Sequence, residues 1–130
     1  MASKRAAGVP VRVVILTLDA HLAGAYESAR ARLQRQIPGL VFSMHLAADW
    51  MRDPTAGARA VADIEKADII CNMMLFTEEH AAAVLPALRA RRDQCDAIVS
   101  CLCTPDVMQL TRLGRFSMGS GEERSAWSPI

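Results

Sequence analysis

The sequence predicts an α/β fold, a doubly wound parallel sheet of about four strands with helices on both faces. Three observations predict it. The runs VRVVILTL (11–18), ADIICNMML (67–75) and DAIVSCLC (96–103) are apolar almost without a break. Strands covered on both faces read this way, whereas half-exposed strands alternate. Helix-period stretches separate the runs, giving the order β-α-β-α-β-α-β-α, and repeated strand–helix units close a parallel sheet through right-handed crossovers. The 130 residues, 52% hydrophobic and 22% charged, are enough for one domain with a real core.

Each element has its own warrant. After the first strand, Leu22, Ala25, Ala29, Leu33 and Ile37 recur at steps of three and four, with Glu27, Arg30, Arg32 and Gln34 taking the outer side. Pro38-Gly39 stops this helix. The second strand, LVFSMHLA (40–47), partly alternates, with Ser43 and His45 on one face, which places it near a sheet edge. Asp53 then serves as N-cap to a helix with Pro54 at its first position. After the third strand, Thr77 caps a helix whose Glu78 and Glu79 meet the positive end of its dipole. Arg89, Arg91 and Arg92 meet the negative end as a solvated basic face. Pro86 bends or breaks that helix. The fourth strand leads into Thr104 as cap, Pro105 at the first position and Gly114 as helix stop.

Residues 1–10 read as a flexible N-terminus, 11–118 as the α/β domain and 119–130 as a linker or tail. The closing SMGSGEERSAWSPI is small and polar with an isolated Trp127, the pattern of a chain running on toward a larger body. A net charge of +1 supplies no field for nucleic acid or an anionic membrane. No apolar run approaches the ~20 residues of a membrane span, and the first ten residues lack the apolar core of a secretory signal. A cytoplasmic protein with neither a nucleic-acid partner nor a membrane span is expected. Four cysteines follow neither a disulfide nor a zinc spacing and read as free thiols packed as small hydrophobes. Dinucleotide, P-loop and nucleophile-elbow signatures are missing from the sequence. Trp50, beside Met51, packs onto its own sheet or covers a pocket.

Open parallel sheets bind ligands beyond the carboxyl ends of their strands, where strand order reverses. With the flavodoxin-like order 2-1-3-4, the loops after the first and third strands flank that point. They carry Asp19, His21, Glu78, Glu79 and His80, residue types suited to acid–base or metal work. Asp19, His21, Glu78 and His80 are therefore the candidate binding residues. The same positions also suit ordinary caps and dipole partners, and both readings stand on sequence alone. No catalytic and no metal-ligating residue is assigned.

The segments VRVVILTLDAHLAGAYESARARL, AADWMRDP, ADIICNMMLFTEEH, LPALRARRDQCDAIVSCLC and MQLTRLGRFSM, in this order across 11–118, carry a resemblance. Together they resemble the amino-terminal domain of the large, porphyrin-binding (H) subunit of magnesium chelatase, in the form found in bacteriochlorophyll-making bacteria. The cobaltochelatase large subunit is related. The resemblance implies a protein that holds protoporphyrin IX and works with two smaller subunits, one an ATPase. Together they insert Mg2+ at the first committed step toward chlorophyll or bacteriochlorophyll. Mg2+ and ATP then enter as substrates of the full complex, and no cofactor is expected on this piece. Magnesium gives up its water reluctantly, which makes the coupling to ATP understandable. The family's large subunit is many times longer, so the porphyrin-holding body lies outside this chain and the piece is expected to be inactive alone. Arg112 stands where relatives usually carry lysine, alike in charge but not in geometry. The alternatives are a cobaltochelatase domain and a free-standing flavodoxin-like binding or docking module.

Overall fold

A computed structural model describes residues 10–118. The expected tail at 119–130, and all but the last residue of the expected flexible N-terminus, lie outside the described residues. The first strand, β1 (Val11–Thr17), ends in a single 3-10 turn (Ala20–Leu22) before α1 (Ala23–Gln36). Next come β2 (Leu40–Leu46), the one-turn α2 (Ala47–Trp50) and α3 (Pro54–Lys66). The chain continues through β3 (Ile69–Met73), α4 (Glu78–Arg91) and β4 (Ala97–Cys101). It closes with the one-turn α5 (Pro105–Met108), β5 (Arg112–Leu113) and β6 (Phe116–Ser117).

The sheet order is β2-β1-β3-β4-β5-β6. The first four strands are parallel, as the sequence predicts, and their order reverses between β1 and β3. The count of about four strands is corrected to six, because β5 and β6 add a short antiparallel hairpin at the β4 edge. Gly114 is accordingly not a helix stop. It sits at φ 60° in the two-residue turn of that hairpin, a conformation that glycine adopts without a Cβ penalty and that suits the twist of paired strands. The helix before it lasts one turn only.

Right-handed crossovers fix which face each helix covers. The step from β1 to β2 runs one way and the steps β2 to β3 to β4 run the other, so α1 lies on one face and α3 and α4 on the other. On the second face Val14, Leu16, Ile70 and Ile98 meet Ala60, Ile64, Val84 and Leu88 in the main core. Asp53 caps α3 by accepting from the Thr55 amide at 3.0 Å, and Pro54 follows at the first turn.

On the first face Val11, Val13 and Leu40 form a small cluster with Ile15, Phe42 and Ile69. Here the expectation for α1 needs correction. Ala25, Ala29, Leu33 and Ile37 are exposed, whereas Tyr26, Arg30 and Gln34, two of them expected outside, are half-buried. Tyr26 sets its ring edge-on against Phe42 at 6.3 Å, and Gln34 Nε2 donates to the Leu40 carbonyl at 3.1 Å. Those two contacts roll the helix toward β2. The basic cluster also departs from a solvated face. Arg91 Nε donates to the Ala67 carbonyl at 2.9 Å, and Arg92 reaches three acceptors beyond its own helix.

Candidate functional site

The carboxyl ends of the parallel strands hold the loops from which a site must be built. At the end of β1, Asp19 adopts an extended backbone, and its carboxylate accepts from the His21 amide at 2.9 Å. That bond closes the 3-10 turn and leaves the His21 ring exposed. At the end of β3, Thr77 caps α4 by accepting from the His80 amide at 3.2 Å, with Glu78 and Glu79 in the first helical turn. His80 turns inward, its ring edge-on to Trp50 at 6.5 Å.

The four candidates therefore serve three different places. Glu78 lines a cleft of about 720 Å3 between the β3–α4 and β4–α5 loops, together with Phe76, Cys103, Thr104 and Asp106. Asp19 and His21 do not line that cleft, and His80 packs on the main core. Among the described residues no ion pair joins any of the four, and no group of three or more His, Cys, Asp or Glu side chains could hold a metal ion.

Two matched backbone steps lead into the loops that border the cleft. Met73 and Cys101 are register partners, and the residue after each, Met74 and Leu102, takes a left-handed conformation at φ 60° and 55°. Bulky residues occupy that region at a cost, and such outliers gather where a chain must leave its sheet abruptly. The Met74 amide donates to the Cys101 carbonyl at 3.0 Å and the Thr104 amide to the Leu75 carbonyl at 3.0 Å, which ties the loops together. Leu75 is buried, while Phe76, which lines the cleft, and Leu102 stand 54% and 67% exposed. The lining offers carboxylates, a thiol and apolar surface. Among the described residues no histidine, lysine or arginine lines it.

Polar groups that sequence reasoning passed over lie deeper. Asn72 and Ser100 interrupt the apolar runs of β3 and β4, face one another across the sheet, and are joined at 3.1 Å. The Thr111 hydroxyl then accepts from the Ser100 amide at 3.1 Å. This chain pins the segment before β5 to the central strands. On the outer strand His45 Nε2 meets Asp63 Oδ2 at 2.6 Å, fixing α3 to β2. For Asn72 and Ser100 the signal was present in the sequence as a polar residue inside a buried run, and His45 stood out as a polar residue on the partly alternating second strand.

Three thiols carry pKa values raised by burial, those of Cys71, Cys95 and Cys103. A raised folded pKa means that the native state keeps its proton where the unfolded chain has released it. The corresponding stability is complete below the unfolded thiol value near 9.0 and is lost as pH rises toward the folded values. Urea midpoints are expected to be flat from pH 7 to 8 and to fall above pH ~9. Cys71→Ala should flatten part of that fall, and an undiminished slope in this variant would refute the assignment.

These features define a doubly wound α/β domain of open-sheet type with a cleft at the carboxyl ends of β3 and β4. The chain belongs to a family described as a domain of unknown function, DUF3479, whose model matches residues 12–129. Similar proteins include the magnesium-chelatase H subunit of Cereibacter sphaeroides, 44% identical over 113 residues, covering 86% of this chain and 10% of that protein. The corresponding H subunit of Rhodobacter capsulatus is 41% identical over 106 residues, covering 82% of this chain and 9% of the relative. The chloroplastic magnesium-chelatase protein ChlH of Oryza sativa subsp. japonica is 33% identical over 129 residues, covering 95% and 9%. The chain thus spans about a tenth of the length of the curated relatives it matches. Among the described residues no helix is long and apolar enough to cross a membrane.

Proposed function

We propose that this chain is the amino-terminal head domain of the H subunit of a magnesium chelatase, acting in the cytoplasm. The whole H subunit would bind protoporphyrin IX and, with two smaller subunits including an ATPase, insert Mg2+ on the way to chlorophyll or bacteriochlorophyll. The observation that carries this reading is the 44% identity to the Cereibacter sphaeroides protein across 113 residues. Insertion requires stripping water from a tightly hydrated dication and removing two pyrrole protons. In this reading the chain covers about a tenth of the length of its relative, so the chemistry is assigned to the rest of the subunit and a positioning role to this head.

Two measurements test this. The isolated chain, titrated with a soluble porphyrin, should show no saturable tryptophan quenching. A chimera in which residues 10–118 replace the matching part of the Cereibacter sphaeroides H subunit should form magnesium protoporphyrin with the two smaller subunits and ATP. Tight quenching by the isolated chain, abolished by His21→Ala or Glu78→Ala, would instead establish a free-standing binding module. A chimera active with Co2+ in a cobaltochelatase background and inert with Mg2+ would move the domain to that enzyme.

A further inference from the structure

Apart from Asn72 and Ser100, the strands β3 and β4 are apolar on both faces, yet the described helices cover only one. Along the α1 face, register carries a row from Val13 through Ile69 and Ala97 to Leu113 and Phe116. A second row runs from Ile15 through Cys71 to Val99, and a third from Thr17 through Met73 to Cys101. Among the described residues no helix lies across these rows beyond β1, because α1 is rolled toward β2 by Tyr26 and Gln34. Leu113 and Phe116 are 56% and 40% exposed, and Cys101 is exposed as well. The flank of α1 opposite Gln34, away from β2, carries the exposed Ala25 and Ala29. The result is an open apolar trough with a floor of Ile69, Cys71, Met73 and Val99, bounded by small residues of α1 on one side and by the β5–β6 hairpin at its far edge.

A parallel sheet is stable when both faces are covered, and an apolar surface of this extent on a single domain marks an interaction site. The chain's own remaining residues hold few large apolar side chains with which to cover three rows: Met1 and Val9 within 1–9, and Trp127, Pro129 and Ile130 within 119–130. The curated relatives are about ten times longer, and the described chain leaves from β6, at the trough's own edge. We propose that the trough is filled by an apolar-faced helix supplied by the polypeptide that follows this domain in a full-length H subunit. This inference rests on the family reading above and adds the surface through which the head docks.

Cys101 reports on it directly. In the 130-residue chain, Cys101 should react readily with a maleimide followed by peptide mass spectrometry. In the full-length chimera its labelling should slow at least tenfold, and Leu113→Glu should restore the fast rate while leaving the melting temperature of the isolated chain unchanged. Equal labelling rates in chain and chimera overturn the proposal. So does a dimer of the isolated chain that Leu113→Glu converts to monomer with a rise in Cys101 labelling, because the occupant is then a second copy. The two readings fail separately. A chimera that makes magnesium protoporphyrin with Cys101 still reactive rejects the docking surface alone. One that protects Cys101 without chelatase activity rejects the functional assignment alone.

Discussion

Replacing Trp50 with alanine is expected to lower stability by about 3–5 kcal/mol, the range for truncating a large buried aromatic. Trp50 is 6% exposed at the end of α2 and belongs to the main core with Ala47, Ala56 and Ile64. Its ring also takes the edge of His80 at 6.5 Å, so one side chain joins the start of α3 to the start of α4. The indole Nε1 is buried without a hydrogen-bond partner in the protein, and an unmet donor carries a penalty of about 1–3 kcal/mol. Trp50→Phe keeps part of the contact and removes that donor, so its loss should be clearly smaller than that of alanine. Urea unfolding followed by far-UV circular dichroism reads both variants without relying on the deleted fluorophore. If alanine cost less than about 1 kcal/mol, Trp50 would not be core, and its place as a pocket cover would have to be reopened.

The parallel sheet was legible because its signal is redundant. Each of the runs that became β1, β3 and β4 is too apolar for a one-sided strand, and two are followed by a side-chain cap, Asp19 and Thr77, while Thr104 holds the cap position without a side-chain bond. The hairpin was not legible for the opposite reason. Two residues per strand, Arg112–Leu113 and Phe116–Ser117, are too short to show a period, and Gly114 serves a helix end and a primed turn equally well. The orientation of α1 failed more instructively. Periodicity records that Ala25, Ala29 and Leu33 form an apolar stripe. It does not record what lies opposite, and Tyr26 found Phe42 on β2 instead.

The candidate site was legible by address and not by chemistry. The loop after β3 does border a cleft, and Glu78 lines it. Whether His80 joins Glu78 or turns inward depends on the position of Trp50, which lies 30 residues earlier on another element, and no local pattern encodes that distance. The loops that border the cleft start from Met74 and Leu102 in a left-handed backbone region. Neither side chain advertises that conformation, whereas glycine or asparagine would have.

Arg92→Ala is the second large effect, about 2–3 kcal/mol, and it should act on one corner of the fold. The guanidinium donates from Nε to the Leu110 carbonyl at 3.0 Å, and from Nη2 to the Ser117 hydroxyl at 2.8 Å and the Met118 carbonyl at 3.0 Å. Hydrogen bonds from a charged donor are worth roughly 1.5–3 kcal/mol each when partly shielded, and bonds sharing one group do not add. Arg112 reaches the other way, giving Nε and Nη2 to the Arg92 carbonyl and a further bond to that of Cys95. The two arginines thus interlock α4 with the β5–β6 hairpin, and the geometry explains why Arg112 is not equivalent to lysine. A lysine at either position keeps the charge but loses the planar fork, so Arg92→Lys should recover less than half of the alanine loss. Hydrogen exchange should show the amides of Leu113, Phe116 and Met118 opening in Arg92→Ala while those of β1 and β3 keep their protection. Unchanged protection at the hairpin would mean that the sheet pairing, not the arginine, holds it. Because Leu113 and Phe116 belong to the same hairpin, losing Arg92 should also loosen one wall of the trough. In the full-length chimera the variant is therefore expected to raise Cys101 labelling without any change to a residue on the apolar face.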